Sequence, residues 1–217
     1  MDGGGGRLAA EPVAERALRH RAAIFDLGRV LVDFDFARGY RAMEPLCRYG
    51  AEEIRKRLAA THLTEEFETG LMEPRAFVAR MAELLDCDLE YGRFRGIWSS
   101  IFTEALVPES LLESLAARYR LLMLSNTNAI HFRMIRETYP LVRHFHDFIL
   151  SYQVGAMKPR REIFDRAIER AGCPAQECFY TDDIAEYVEA ARRLGIDAVQ
   201  FRSAAQLEEE LRARGML

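Results

Sequence analysis

Short apolar runs that end in polar residues recur along the chain and predict the strands of a parallel β-sheet. A strand buried on both faces reads as a continuous apolar run of this length, and ligands collect outside the carboxyl ends of such strands. The polar residues that end the runs are therefore candidates for one shared site. The runs are AAIF before Asp26, LLML before Ser125 and Asn126, FIL before Ser151, and CFY before Thr181, Asp182 and Asp183.

Helical periodicity separates the first two of these runs, and helices alternate with strands after them. Such alternation is typical of parallel βαβ units with helices on both faces of the sheet. The predicted fold class is therefore α/β, a Rossmann-like doubly wound parallel sheet core with an inserted all-helical cap. The predicted limits are 1–20 for a flexible N-terminal extension, 21–34 and 118–217 for the α/β core, and 35–117 for the cap.

The cap is predicted to contain helices at residues 37–49, 51–60, 73–85 and 89–102. The last of these carries Tyr91, Phe94, Trp98 and Phe102, spaced three and four residues apart. Aromatic stripes with helical spacing are more often buried than exposed. We therefore expect this stripe to form the core of the cap and not a surface that stacks on substrate.

Composition and charge narrow the range of functions. The formal net charge is −4, from acidic and basic residues that are interspersed, and the sequence contains no basic face suited to nucleic acid. No apolar stretch approaches the ~20 residues that cross a bilayer, and the glycine-rich N-terminus lacks the apolar core of a signal peptide. We expect a soluble cytoplasmic protein, a monomer or a homodimer, with no nucleic-acid or membrane partner.

The four cysteines form no metal-binding or redox pattern, since the sequence contains no CxxC pair and no ligand-like alternation of cysteine with histidine. Reduced and mostly buried thiols are therefore expected. The cysteines are Cys47, Cys87, Cys173 and Cys178.

Four segments near the ends of the predicted strands carry the polar residues of interest. In order they are FDLGRVLVD at 25–33, LSNTN at 124–128, GAMKP at 155–159 and YTDD at 180–183. Together they resemble the four motifs of the haloacid dehalogenase superfamily of hydrolases, in the branch with a helical cap after the first strand. The resemblance runs from about residue 22 to about residue 201. It implies a Mg²⁺-dependent phosphatase that forms an aspartyl-phosphate intermediate and acts on a small phosphorylated metabolite such as a sugar phosphate.

The resemblance also implies roles for three aspartates and one glycine. Asp26 is the implied nucleophile, and it is an implied Mg²⁺ ligand together with the Gly28 carbonyl and Asp183. Hard oxygen donors of this kind suit Mg²⁺. Asp182 is expected to support the site, because neighbouring carboxylates repel each other unless a cation or hydrogen-bond donors compensate them. The alternative for this pair is that one aspartate caps the helix that follows.

Phosphate binding is implied for Ser125, Asn126 and Lys158. Lys158 would neutralise the phosphate and keep Asp26 ionised, which makes it a catalytic candidate as well. A surface position is the commoner fate of a lysine, but Lys158 and Lys56 are the only lysines in a chain that otherwise uses arginine. For Ser125 the alternative is a place at the N-cap of the next helix.

Two positions depart from the pattern of the family. Gly28 stands where most of its phosphatases carry a second aspartate that acts as general acid and base, a group worth ~10² to 10⁴-fold in rate. Tyr187 stands where an asparagine is usual. Two alternatives therefore stay open: a haloacid dehalogenase-type hydrolase, which needs no metal, and a catalytically weak phosphate-binding protein that keeps the fold. The adjacent Asp182 and Asp183 argue against the first, since a metal-free site has little use for paired carboxylates.

Overall fold

A parallel sheet forms the centre of the molecule. The computed structural model describes residues 20–217, so the predicted extension at 1–20 lies, apart from its last residue, outside the described part of the chain. The strands are β1 (Ala22–Phe25), β2 (Val32–Phe34), β3 (Phe102–Ala105), β4 (Arg120–Ser125), β5 (Asp147–Leu150), β6 (Cys178–Asp182) and β7 (Asp197–Gln200). The five strands of the central sheet are parallel and lie in the order β5-β4-β1-β6-β7. The predicted α/β doubly wound class is confirmed.

Helices cover both faces of this sheet and fill the chain between β2 and β3. They are α1 (Phe36–Met43), α2 (Ala51–Ala59), α3 (Leu63–Glu68), α4 (Pro74–Leu85), α5 (Tyr91–Ser99), α6 (Glu109–Ala116), α7 (Ala129–Thr138), α8 (Ser151–Val154), α9 (Arg161–Ala171), α10 (Ala185–Arg193) and α11 (Ala204–Ala213). None of these helices is both long and apolar enough to cross a membrane.

The central strand β1 is buried on both of its faces, which explains its uninterrupted apolar sequence. Successive side chains of a strand point to opposite faces of the sheet. Ala23 and Phe25 pack in the cluster that contains the leucines of α6, and Ala22 and Ile24 pack in the cluster that contains Phe164 of α9. The strand therefore lies in the middle of the sheet and ends at its carboxyl edge, where the next residue, Asp26, is the first residue of the site.

Helices α1–α5 share an apolar cluster of their own. Phe67 and Phe77 stack at 4.1 Å between ring centroids, and Phe94 and Trp98 stack at 5.4 Å. Phe94 and Trp98 are buried, as expected for the aromatic stripe. Ile130 of α7 joins the same cluster, so these helices dock on the α/β core through apolar contacts. The predicted limits of the cap, residues 35–117, stay a prediction.

The chain enters and leaves this helical region through a small antiparallel sheet that the sequence analysis did not predict. Strands β2 and β3 form it, with Phe34 opposite Phe102. The helix predicted over 89–102 is therefore too long: α5 ends at Ser99, and Phe102 begins a strand. Helix α3 was not predicted either. Strands of three or four residues leave too little alternation to be detected against a helical background.

The expectation of four reduced thiols is wrong for two of the cysteines. Cys47 and Cys87 form a disulfide, with a Cα–Cα distance of 4.2 Å and a sequence separation of 40. Cys47 follows α1, and Cys87 follows α4, and the two residues also pair as an isolated antiparallel bridge. Helix packing in the insertion brings them together, which spacing along the sequence does not reveal. Cys173 and Cys178 are free thiols.

Candidate active site

A buried lysine lies between two carboxylates at the carboxyl edge of the central sheet. The Nζ of Lys158 lies 2.7 Å from Oδ1 of Asp26, 2.6 Å from Oδ2 of Asp182 and 3.2 Å from the carbonyl oxygen of Leu124. Lys158 is 3% exposed and Asp182 is fully buried. An ammonium group has three N–H donors, and here all three are used. The surface alternative for Lys158 is therefore excluded.

Asn126 positions this lysine through its backbone. The side chain of Asn126 donates from Nδ2 to the carbonyl oxygen of Lys158, at 3.0 Å, and accepts from the Lys158 backbone N–H at Oδ1, at 2.8 Å. One amide side chain thus satisfies both backbone groups of the lysine. The turn before Lys158 contains Gly155, whose φ of 79° lies in the left-handed region that favours glycine. The turn at Gly155 and the hydrogen bonds from Asn126 together place Lys158, which follows α8, at the carboxyl edge of the sheet.

Asp182 is fully engaged by the protein. Its Oδ2 accepts hydrogen bonds from Lys158 and from the hydroxyl of Tyr180, and its Oδ1 accepts from the backbone N–H of Ile184, at 2.9 Å. Tyr180 lies two residues earlier on the same face of β6, and it is not among the site residues predicted from the sequence. The signal was available, because a tyrosine in an otherwise apolar buried strand needs a partner for its hydroxyl.

The three aspartates form the group of carboxylates best suited to hold a cation within the described residues. Asp26, Asp182 and Asp183 place one carboxylate oxygen each within 4.8 Å of one another. Both oxygens of Asp182 accept hydrogen bonds from the protein, whereas the side-chain donor of Asp26, Lys158, reaches only its Oδ1. Asp183 is half-buried, and Gln200 donates to its backbone carbonyl oxygen. This donor set is all oxygen and fits a hard divalent ion such as Mg²⁺.

The ionisation of these groups follows from burial and mutual charge. Burial raises the pKa of Asp26 to about 7, the charge of Lys158 opposes the shift, and the charge of Asp182 adds to it. Burial and the charge of Asp182 also raise the pKa of Asp183. Burial alone would lower the pKa of Lys158, but the two carboxylates raise it above its usual value. A divalent cation beside Asp26 and Asp183 would favour their charged forms.

Ser125 lies at the end of β4, and its side chain does not cap the helix that follows. Its hydroxyl is 3.4 Å from the carbonyl oxygen of Asn126, and the residue is buried. Asn128 caps α7 instead, since its Oδ1 accepts from the backbone N–H of His131 at 3.0 Å. The N-cap alternative for Ser125 therefore does not hold, and its hydroxyl is available near Asn126.

Gly28 is explained by a close approach and not by an unusual backbone conformation. A Cβ atom at this position would lie 2.6 Å from Cε1 of Phe34. Its φ is not among the positive values found in residues 20–217. The next residue, Arg29, has a φ of 58°, and its guanidinium lies 5.1 Å from the centre of the Phe34 ring. The ring of Phe34 thus occupies the space that an acidic side chain at residue 28 would need.

Tyr187 packs against the lysine. Its ring centre lies 5.2 Å from Nζ of Lys158, and its hydroxyl lies 3.5 Å from Nδ2 of Asn126. A phenol at this position therefore contacts both Lys158 and Asn126, the residue that holds the backbone of Lys158. It adds a π face to a cation that is otherwise surrounded by oxygen atoms.

The predicted site residues thus converge at one edge of a doubly wound sheet, an arrangement suited to an anionic substrate and a divalent cation. The chain belongs to the haloacid dehalogenase-like hydrolase family, whose sequence profile matches residues 20–195. It is 28% identical over 198 residues to the D-ribitol-5-phosphate phosphatase of Bacteroides thetaiotaomicron, a match that covers 87% of this chain and 95% of that protein.

Solved structures support the same family. A HAD family enzyme of Bacteroides thetaiotaomicron in complex with magnesium and inorganic phosphate is 25% identical to this chain, with a TM-score of 0.75, and the match covers 85% of this chain and 95% of that one. A predicted HAD-like family hydrolase from Porphyromonas gingivalis is also 25% identical, with a TM-score of 0.76 and coverage of 89% and 98%. A 2-haloacid dehalogenase from Pseudomonas syringae, 20% identical with a TM-score of 0.64 and coverage of 89% and 99%, shares the fold.

Proposed function

We propose that this protein is a Mg²⁺-dependent phosphatase that forms an aspartyl-phosphate intermediate on Asp26 and acts on a small phosphorylated sugar or polyol. The observation that carries the proposal is the placement of Asp26: its Oδ1 accepts a hydrogen bond from Lys158 at 2.7 Å, and one of its carboxylate oxygens lies within 4.8 Å of a carboxylate oxygen of Asp182 and of Asp183. Similarity to a D-ribitol-5-phosphate phosphatase, and to an enzyme solved with magnesium and phosphate, supports the substrate class and the metal.

The chemistry runs in two displacements at phosphorus. An oxygen of Asp26 attacks the phosphoryl group, the ester P–O bond breaks, and the leaving alkoxide takes a proton from water. A water molecule then attacks the phosphorus of the aspartyl-phosphate, which releases inorganic phosphate and restores the carboxylate. Mg²⁺, held by Asp26, Asp183 and the Gly28 carbonyl, would neutralise charge on the phosphoryl oxygens.

Lys158, Ser125 and Asn126 are proposed to hold the phosphate. All three donors of Lys158 are used by protein acceptors, and the bond to the Leu124 carbonyl is the longest, at 3.2 Å. We expect a phosphate oxygen to replace that carbonyl as the third partner of the ammonium group. The hydroxyl of Ser125 and the amide groups near Asn126 lie at the neighbouring strand end and supply further donors.

The two alternatives are less well supported. A haloacid dehalogenase has no need for the Asp26, Asp182 and Asp183 cluster, and the likeness to a solved 2-haloacid dehalogenase concerns the fold alone. A weak phosphate-binding protein is consistent with glycine at residue 28, where the ring of Phe34 leaves no room for the missing acid. A phosphate-release screen over sugar phosphates, polyol phosphates, nucleotides and small phosphorylated acids decides between them. We expect turnover with Mg²⁺ that stops on chelation, whereas no release from any ester would favour the binding protein.

Asp183→Asn is expected to weaken Mg²⁺ binding by ~10-fold or more, because the substitution removes one of the charged oxygen donors. Calorimetric titration of the metal against the wild type measures the effect. Glu186→Gln is the matched control, since Glu186 is an exposed acid in the first turn of α10. Equal Mg²⁺ affinity in Asp183→Asn and the wild type would remove Asp183 from the metal site.

Gly28→Asp is expected to lower activity in the single variant, because its side chain would collide with the ring of Phe34. In Gly28→Asp/Phe34→Ala the carboxyl group has room, and alkyl phosphate hydrolysis should rise ~10-fold or more relative to aryl phosphate hydrolysis, since only the alkyl leaving group needs a proton. The ratio of the two rates is measured in both single variants, the double variant and the wild type. The same ratio in all four proteins would mean that another group already donates the proton.

The remaining parts of the proposal concern the assembly. We propose that the chain divides into core and cap at residues 34/35 and 117/118. We also propose that the protein is a monomer or a homodimer and has no nucleic-acid partner. The proposal includes a cytoplasmic location, which the bacterial relatives favour. Light scattering of the purified protein tests the oligomeric state.

A further inference from the structure

A buried tyrosine and the site lysine share one oxygen of Asp182. Oδ2 of Asp182 accepts hydrogen bonds from the hydroxyl of Tyr180 and from Nζ of Lys158, the second at 2.6 Å. Burial and the charge of Asp182 raise the pKa of Tyr180 well above its ordinary value, so the phenol keeps its proton and is the donor. Tyr180 is fully buried and cannot touch a substrate. Any effect of its hydroxyl on the reaction therefore passes through Asp182.

The positions of the hydroxyl and of the carboxylate are both fixed. Tyr180 lies in the middle of β6, between β1 and β7, and its ring packs edge to face on Phe164 of α9, with 5.8 Å between the ring centroids. The other oxygen of Asp182 accepts from the backbone N–H of Ile184, at 2.9 Å. Because backbone and packing hold both partners, their hydrogen bond is part of the folded protein before any substrate arrives.

Asp182 holds Lys158 only in part. The ammonium group of Lys158 also donates to Asp26 and to the carbonyl oxygen of Leu124. Two donors share the negative charge on Oδ2 of Asp182, and each hydrogen bond offsets part of that charge. The hydroxyl of Tyr180 therefore weakens the attraction between Asp182 and the ammonium group. More of the lysine charge is left for Asp26 and for a phosphoryl group beside it.

We propose that Tyr180 is a positioning residue that acts on Lys158 through Asp182 and keeps the ammonium group available to the phosphoryl group. This inference rests on the proposed function and names a residue that controls its phosphate-binding cation. Without the hydroxyl, Lys158 is the only donor to Oδ2 of Asp182 among residues 20–217, and we expect the ammonium group to move toward that oxygen. A phosphoryl group that develops charge in the transition state then gains less stabilisation.

Tyr180→Phe tests this role, because it removes the hydroxyl and keeps the ring that packs on Phe164. With Mg²⁺ present, we expect kcat to fall ~10-fold for p-nitrophenyl phosphate and for D-ribitol 5-phosphate alike, since Lys158 serves the phosphoryl group that both esters share. Calorimetric titration of inorganic phosphate should show ~3- to 10-fold weaker binding. Tyr139→Phe is the matched control. It also removes a hydroxyl that donates a hydrogen bond, to the carbonyl oxygen of Thr103 at 3.0 Å, and it should change neither quantity.

Two further variants show whether the effect passes through the lysine. In Lys158→Met the charge on which the hydroxyl acts is gone, so adding Tyr180→Phe should lower kcat by ~2-fold or less. A general loss of structure would lower kcat by the same factor in both backgrounds. Tyr180→3-fluorotyrosine keeps the hydroxyl as a stronger donor, because fluorine withdraws electrons from the ring, and kcat should equal or exceed that of the wild type. Thermal unfolding of each variant confirms that it is folded.

The outcomes separate this inference from the proposed function. If the wild type hydrolyses an ester and Tyr180→Phe keeps its kcat and its phosphate affinity, the role of Tyr180 is wrong and the phosphatase stands. An equal fall with and without Lys158 would also overturn it, as would a fall in the fluorotyrosine variant. If the wild type binds phosphate but hydrolyses no ester, the proposed function is contradicted, and the phosphate titrations in both backgrounds decide the role of Tyr180. If it neither binds phosphate nor hydrolyses an ester, both fail together.

Discussion

Asp26→Asn should abolish phosphate release, with a loss of ~10⁴-fold or more in kcat. The amide has nearly the same size as the carboxylate, but it is a poor nucleophile and carries no charge for the metal. The amide oxygen that Asp26→Asn introduces can still accept a hydrogen bond from Lys158, in place of the 2.7 Å bond to the carboxylate. Phosphate release measured over hours with a good substrate sets the residual rate.

The fold should survive this change, which makes the loss of activity interpretable. Lys158 keeps Asp182 as a charged partner at 2.6 Å, and burial, which raises the pKa of Asp26, opposes the charge that the amide removes. The midpoint of thermal unfolding should therefore stay close to that of the wild type. Asp33→Asn is the matched control, because Asp33 lies on β2 only a few residues away. Turnover above a trace in Asp26→Asn would show that another group is the nucleophile.

Lys158→Met should cost both activity and stability. Methionine has a similar length but leaves Asp26 and Asp182 buried without their shared cation. Removing one partner of a buried ion pair typically costs about 3–5 kcal/mol in the free energy of unfolding. The rate should fall by ~10² to 10³-fold, because the charge beside the phosphoryl group is lost. Lys56→Met is the matched control, since Lys56 is the only other lysine and is exposed.

The loss of stability in Lys158→Met should depend on pH. Burial already raises the pKa of Asp26 against the opposing charge of Lys158, so without the lysine its pKa in the folded variant lies further above its value in the unfolded chain. Such groups stabilise the fold below the unfolded pKa near about 4, and this contribution is lost as pH rises through the folded pKa. The difference from the wild type in unfolding free energy should therefore be larger at about pH 8 than at about pH 5. Adding Asp182→Asn to Lys158→Met should recover part of the lost unfolding free energy. A loss of unfolding free energy that does not depend on pH would contradict this account.

The sheet and the strand-end residues of the site could be predicted because their signals are local. A continuous apolar run predicts a buried parallel strand, and the polar residue after it lies at the carboxyl edge without any knowledge of the rest of the chain. Asp26, Ser125 and Asp183 were all found in this way. Lys158 lies several residues beyond β5, after a short helix, so the strand pattern places it only near this edge of the sheet, and the resemblance to a known family implies its contact with phosphate.

The features that were missed depend on contacts between distant parts of the chain. The disulfide joins Cys47 to Cys87 through the packing of helices in the insertion. The reason for Gly28 is the ring of Phe34, which the small antiparallel sheet places above it.

The central claim is that phosphate passes to Asp26, and chemical trapping of the intermediate tests it most directly. Borohydride added during turnover reduces an acyl phosphate to an alcohol, which would convert Asp26 to homoserine. Trypsin cleaves after Arg21 and Arg29 and releases the peptide 22–29, in which Asp26 is the only acidic residue. We expect mass spectrometry to find homoserine in this peptide only when substrate and Mg²⁺ are both present. An unmodified peptide 22–29 together with a reduced residue in the peptide that contains Asp182 and Asp183 would contradict the account.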